Sequence, residues 1–444
     1  MAALAPLSDQ PDPEMGALIA SRPQLSLHGH DGLCLEGVPL ARIARELGTP
    51  SWVYGAGTIR ARLATLHAAL KAADLNAHVH YAVKANDHLA VLRLLASGGA
   101  GADVVSEGEF LRAREAGIAA SHIVFSGVGK TAAELRRALE QGIAQINVES
   151  AEELAMLSAL AAGMGRVARV ALRVNPDVDA GTHAKISTGR AQDKFGIAYV
   201  DVPALYARAA TLPGIRPVGI ATHIGSQILS LAPYRAAYAR MADLVRTLRA
   251  AGQTVDSVDC GGGLGIGYRD EPGLNPAALA GALRASFGNL DVKLMLEPGR
   301  WLVGPAGLLL ASVVLVKRTQ GRRFIVLDAA MNDLVRPAMY DSWHGIVPLS
   351  PIAARAATSP ADIVGPVCET GDTFARARAM PEVAAGDFVA LLDAGAYGAV
   401  MSSTYNARPL AAAAMVDGER WAVIRPRQAL RDLWASETVP DFVP

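Results

Sequence analysis

Four short stretches of this 444-residue chain carry side chains that do chemistry together. The first is Tyr81-Ala82-Val83-Lys84-Ala85-Asn86, where an apolar run from His78 to Val83 reads as a buried strand delivering a lysine at its C-terminal end. Burying an ammonium is costly. Lys84 therefore either snorkels to solvent or sits in a pocket where desolvation lowers its pKa enough for a Schiff base with a carbonyl. The second is Gly261-Gly262-Gly263-Leu264-Gly265-Ile266-Gly267, after a strand ending Asp259-Cys260. Its glycines let the backbone approach a ligand closely and aim N–H groups at an anion, or they simply make a glycine-rich turn. No Gly-Lys-Ser/Thr follows, so the P-loop spacing is absent. The third, His223-Ile224-Gly225-Ser226-Gln227, offers an imidazole to lie against an aromatic ligand or act as a base, and a hydroxyl for the same anion. The fourth, Glu297-Pro298-Gly299-Arg300, pairs a carboxylate suited to a heterocyclic N–H⁺ with a guanidinium suited to phosphate or carboxylate. An ion pair across the Pro-Gly turn is the plainer use of the same two residues.

An amine, a phosphate cradle, a stacking imidazole and a carboxylate for a ring nitrogen together specify one small molecule. That molecule is pyridoxal 5'-phosphate: aldehyde for Lys84, phosphate for the glycines, ring face for His223 and pyridinium for Glu297.

The elements that must position these groups follow from periodicity. Apolar strand-like runs occur at 79–84, 101–105, 122–126, 145–149, 168–174, 218–223, 255–260 and 292–297. Between them lie amphipathic segments of helical period at 88–97, 107–116, 131–141, 151–163, 201–211, 232–251 and 276–287. Strands alternating with single helices predict parallel βαβ units, and eight of them close a (β/α)8 barrel. An open doubly wound sheet competes, but no GxGxxG opens the first helix. In a barrel the strand C-terminal ends share one rim. That rim would bring together Lys84, Asp103 with Ser106, Ser126, Asn147 with Glu149, Arg173 with Asn175, His223 with Ser226, the glycine cluster, and Glu297 with Arg300. After Pro305 short alternating runs separated by Gly/Pro turns predict an antiparallel β domain. The expected organisation is a disordered lead-in over 1–25, a segment over 26–50 joining the β domain, a barrel over 51–305 and the β domain over 306–444.

Composition narrows the function classes. Lys+Arg equals Asp+Glu at 42 each, which gives no electrostatic case for nucleic acid or an anionic membrane. No apolar run is long enough to span a bilayer, and residues 1–25 lack the order of a secretory signal. Cys34, Cys260 and Cys368 are odd in number and without metal-ligand spacing, so no metal is expected and a reduced, cytoplasmic setting is.

The motifs YAVKAN (81–86), GADVVSEGE (101–109), HIGSQ (223–227), GGGLG (261–265) and EPGR (297–300) resemble the barrel-type, fold-type III pyridoxal phosphate decarboxylases. Within them MNDLVRPAMYDSWH (331–344), VGPVCETGD (364–372) and DAGAYGAVMSSTYNARP (393–409) are most similar to the diaminopimelate decarboxylase family. The resemblance covers roughly residues 30–430. It implies an alanine-racemase-like barrel followed by a β domain, with active sites shared across a homodimer interface. It makes Lys84 the lysine that bears the cofactor and His223 the residue stacked on its ring. Ser226, Gly262, Gly263 and the turn Glu297, Gly299, Arg300 then hold phosphate and ring nitrogen. It makes Cys368 the proton donor, entering with Glu369 from the neighbouring subunit. Arg300, Arg336, Tyr340 and Glu369 grip the distal end of the amino-acid substrate, and Tyr397 lies between cofactor phosphate and substrate. The chain departs from the family where Gly55 and residues 228–234 lack an expected acidic residue.

The activity implied is decarboxylation of meso-2,6-diaminoheptanedioate to L-lysine, the last step of lysine biosynthesis. Arg300 and Arg336 suit a second carboxylate and Glu369 a second ammonium. A related decarboxylase of a D-amino acid (D-lysine or D-ornithine) or of a secondary metabolite shares the same rim, and a catalytically silent homologue shares the fold. Intact Lys84, Glu297, Cys368 and Tyr397 speak against the silent reading.

Overall fold

The structure, a computed structural model, describes residues 11–180 and 194–444. The chain divides into two compact units, Ile59–Ile266 with Pro272–Leu302, and Met1–Thr58 with Gly267–Glu271 and Val303–Pro444.

The first unit is the barrel. Its strands are β1 (Ala77–Ala82), β2 (Gly101–Val104), β3 (Ile123–Phe125), β4 (Gln145–Val148), β5 (Ala168–Asn175), β6 (Ile215–Ala221), β7 (Ser257–Asp259) and β8 (Lys293–Leu296). Each pairs in parallel with the next, and β8 pairs with β1, which closes the ring. Most strand residues are buried, as expected where a parallel strand has helices outside and a packed interior inside. The helices between strands begin where a side-chain oxygen can satisfy a first-turn amide. Ser106, Ser150 and Ser230 cap three of them. Thr131 and Glu134 form a reciprocal capping box, and Asn275 with Pro276 starts the last.

The second unit is built on a mostly antiparallel sheet. Its strand path runs Thr373–Pro381, Thr358–Val364, Arg322–Leu327, Gly307–Thr319, Ser51–Gly55, Ala412–Asp417, Arg420–Arg425. Alternation of period two sorts its residues into two cores. Trp52, Tyr54, Leu309 and Val313 pack on one side, and Val53, Leu308 and Leu310 pack on the other with Leu40 and Ile43 of the helix Leu40–Leu47.

Two expected boundaries differ from the structure. Ser51–Gly55 lies in this sheet and not in the barrel: it pairs antiparallel with Gly307–Thr319 and parallel with Ala412–Asp417, partners more than 250 positions away that no local pattern reveals. The expected lead-in over 1–25 holds a helix, Met15–Ala20, whose Leu18 and Ile19 are buried; residues 1–10 lie outside the described residues. Arg22 ties this segment down, donating from Nε to Asp393 at 2.8 Å and from Nη2 to the Tyr268 carbonyl at 2.7 Å. Those partners lie 371 and 246 positions away, beyond the reach of local pattern reading.

Candidate active site

Barrel strands end on one rim, and most of the expected cofactor residues occupy it. Lys84 stands in the single turn Val83–Ala85 that follows β1, with its side chain about a third exposed and Nζ 2.9 Å from Asp103 Oδ2. Asp103, on β2, is fully buried. The lysine is thus held by a buried carboxylate, a partner that neither the snorkelling nor the desolvated-pocket reading named. Asp103 Oδ1 is buried and has no hydrogen-bond partner among the described residues.

His223 follows β6, and its Nδ1 accepts from the Gly262 amide at 3.2 Å. A backbone amide can only donate, so the imidazole carries its proton on Nε2. Burial, then the charges of Lys84 and Arg173, hold its pKa well below the usual value. A neutral ring on the rim suits stacking better than it suits an acid.

The glycine cluster is tightly specified. A Cβ on Gly261, Gly262 or Gly263 would lie 2.2 Å from the Thr222 carbonyl oxygen, 2.0 Å from that of Glu297 and 2.3 Å from that of Gly225, respectively. Gly261 and Gly263 also have φ of +67° and +90°. Beside this loop, Arg300 Nη2 donates to Ser226 Oγ at 3.2 Å, so a guanidinium and a hydroxyl expected at the phosphate already meet. Gly299 is buried and its carbonyl accepts from Leu302 at 3.0 Å.

Glu297 follows β8 and is 7% exposed. Burial, followed by the charges of Asp103 and Asp259, pushes its pKa well above the usual carboxyl range. Such a group is a strong acceptor for a cationic N–H. Lysine, glycine cradle, neutral imidazole and basic carboxylate therefore match the four parts of pyridoxal phosphate named from the sequence.

The remaining expected residues lie in the second unit. Arg336 and Tyr340 bound the short helix Arg336–Tyr340. The Arg336 guanidinium donates to His344 Nε2 at 3.0 Å and to Ser342 Oγ at 3.2 Å, and it stacks 5.1 Å from the Tyr268 ring. Cys368 and Glu369 are exposed on a turn built around buried Asp372, whose carboxylate accepts from Met331 at 2.7 Å and Val367 at 2.8 Å. Tyr397, partly exposed, has φ of +55°. Sequence reasoning placed Asp103 and Asn147 on the rim and Asp259 before the glycine cluster, but gave none of the three a specific partner or task. The available signal was polar side chains on strands whose residues are all buried.

The pyridoxal-dependent decarboxylase family, in its pyridoxal binding domain, matches residues 56–304. This chain belongs to that family. Curated relatives named diaminopimelate decarboxylase are similar over nearly their whole length. One from Zymomonas mobilis is 48% identical, covering 91% of this chain and 96% of the relative. Another from Pseudomonas aeruginosa is 46% identical, covering 92% and 97%. The solved structure of diaminopimelate decarboxylase from Helicobacter pylori complexed with L-lysine is 37% identical, covering 90% of this chain and 99% of that one, with a TM-score of 0.86. The decarboxylase is accordingly a carboxy-lyase that uses pyridoxal 5'-phosphate and acts on an amino acid. Among its described residues no helix is long and apolar enough to cross a membrane.

Proposed function

We propose that this decarboxylase converts meso-2,6-diaminoheptanedioate to L-lysine and CO₂. The observation that carries the reading is the meeting of Lys84, the glycine cradle and Glu297 on one barrel rim, in a chain similar throughout to relatives named for that activity. Lys84 would anchor the cofactor's aldehyde. Gly262, Gly263, Ser226, Gly299 and Arg300 would hold its phosphate, His223 its ring face and Glu297 its ring nitrogen. When bound, the cofactor supplies an electron sink for the carbon that loses carboxylate.

The protein's own part is orientation and proton delivery. Asp103 fixes the Lys84 amine. Arg300, Arg336, Tyr340, Glu369 and Tyr397 are assigned to the substrate, and contacts at its distal end orient the bond that breaks. The Cys368 thiol on Sγ is assigned as donor of the proton that replaces CO₂. Exposure of Cys368 and Glu369 on a turn hydrogen-bonded around Asp372 supports their delivery to a second copy in a homodimer. Three free cysteines support a cytoplasmic setting.

The test compares turnover of meso-2,6-diaminoheptanedioate, D-lysine and D-ornithine by the purified holoenzyme, with CO₂ and L-lysine as readouts. Preference for the dicarboxylate by at least an order of magnitude is expected. Equal or better turnover of either D-amino acid would overturn the substrate, and activity retained in Lys84→Ala would overturn the site.

A further inference from the structure

The barrel interior holds a connected chain of polar side chains that ends on Glu297 and of which the assignments above use Glu297 alone. Asn147 on β4, Asp259 on β7 and Glu297 after β8 come from distant parts of the sequence and are 2%, 0% and 7% exposed. Asn147 Nδ2 lies 3.0 Å from Asp259 Oδ2, 3.4 Å from Glu297 Oε1 and 3.1 Å from Ser126 Oγ. On its other edge, Asn147 Oδ1 accepts from Gln145 Nε2 at 2.8 Å, and Gln145 Oε1 accepts from Ser257 Oγ at 3.4 Å. This relay fixes the Asn147 amide, because a flipped amide would set its NH₂ against that of Gln145 and its oxygen against two carboxylates. The other Asp259 oxygen accepts from the Gly261 amide at 3.0 Å, so the same residue grips the first glycine of the cradle.

We propose that Asn147 and Asp259 are positioning residues for the cofactor's ring, acting through Glu297: Asn147 sets the direction the carboxylate faces, and Asp259 strengthens it as an acceptor. The proposal rests on the assignment of Glu297 to the ring nitrogen. One amide N–H edge serving two buried carboxylates holds them at a fixed separation. Glu297 Oε1 also accepts from Ser126 Oγ at 3.4 Å, and the Glu297 and Asp259 carboxyl groups are hydrogen-bonded to each other. Two carboxylates so close in a dry interior raise each other's affinity for positive charge. Asp259 also has its carboxyl raised, by burial first, with hydrogen bonds from Glu297, Asn147 and Gly261 opposing. Asp103 and Lys84 are the other charged groups acting on Glu297, and they form an ion pair of their own. Asp103 is thus paired with Lys84, whereas Asp259 shares a hydrogen bond with Glu297, and a protonated ring nitrogen at Glu297 would meet the charge of that carboxyl pair.

The test strips the full-length holoenzyme of cofactor and refills it with pyridoxal phosphate or with its 1-deaza analogue, in which carbon replaces the ring nitrogen. Affinity is read from the absorbance of the bound ligand. The wild-type protein should prefer pyridoxal phosphate. Asn147→Ser and Asp259→Asn should each reduce that preference about tenfold, the size of a weakened charge-assisted hydrogen bond. If Glu297→Gln also keeps the preference, the assignment of Glu297 fails and the proposal with it. If Glu297→Gln loses the preference while the other two variants keep it, the assignment stands and the proposal is overturned. Equal weakening for both ligands assigns the pair a merely structural role and also overturns it. Should Asp259→Asn not fold, Asn147→Ser decides by the same ratio.

Discussion

Glu109 is bonded at Oε2 by the Val105 amide at 2.9 Å, and the charges of both Asp103 and Lys84 act on it. Burial pushes its pKa from 4.5 up to about 7, against the opposing pull of the Val105 amide. Between those values the folded chain binds more protons at this site than the unfolded chain, so its contribution to stability falls as pH rises through that window. Glu109→Gln, which keeps the acceptor for Val105 and never ionises, should match the wild type near pH 4.5 and melt higher above pH 7. Thermal unfolding across the range checks this, and parallel curves for the two proteins would count against it. Glu109 was visible in the motif at 101–109, but its environment was not. A carboxyl is read from sequence as charged, and only the strand ends packed around it make the neutral form competitive at neutral pH.

The barrel's repeating unit was legible because each piece of it is local. Apolar runs mark the strands, a 3.6-residue period marks the helices, and Ser, Thr or Asn at the cap marks where each helix starts. The glycine loop after β7 was legible as a loop, but its shape came from three contacts with other strand ends. Gly263→Ala tests that shape. Its φ of +90° and a Cβ 2.3 Å from the Gly225 carbonyl oxygen leave no room for a methyl. The substitution should cost about 1–3 kcal/mol in stability and weaken pyridoxal phosphate binding, read by denaturant unfolding and by absorbance of the bound cofactor. Unchanged affinity would remove the loop from the phosphate site. Thr131→Ala, at the capping box of Ala132–Gln141, makes a good contrast. It should cost about 1 kcal/mol and leave cofactor binding alone, since it acts on one helix end.

At the scale of the whole molecule, the homodimer reading makes a prediction that single-chain variants do not. Lys84→Ala removes the proposed cofactor anchor, and Cys368→Ala removes a proton donor assigned to the partner's site. Each variant alone should be nearly inactive. When equal amounts are mixed and subunits exchange, heterodimers should regain one complete site, to about a quarter of wild-type activity for a twofold assembly. A mixture no more active than its components would mean that each chain uses its own cysteine.

The sequence by itself determined which residues can react and which runs become strands and helices, because residue chemistry and hydrophobic period are properties of short stretches. It therefore placed Lys84, His223, the glycines and Glu297 at successive strand ends, and the barrel put those ends on one rim. Only the tertiary structure decided the pairings made across long separations. Ser51–Gly55 reads locally like any buried strand, and only its neighbours at Gly307–Thr319 and Ala412–Asp417 place it in the second sheet. Asp103 beneath Lys84, and Asn147 between Asp259 and Glu297, are likewise set by the register of a closed ring, which brings together residues 112 and 150 positions apart. Lys84 was singled out as the proposed anchor only once the other strand ends were read beside its own stretch of sequence. The carboxylate that holds it, and the buried amide proposed to aim Glu297, required the ring to close.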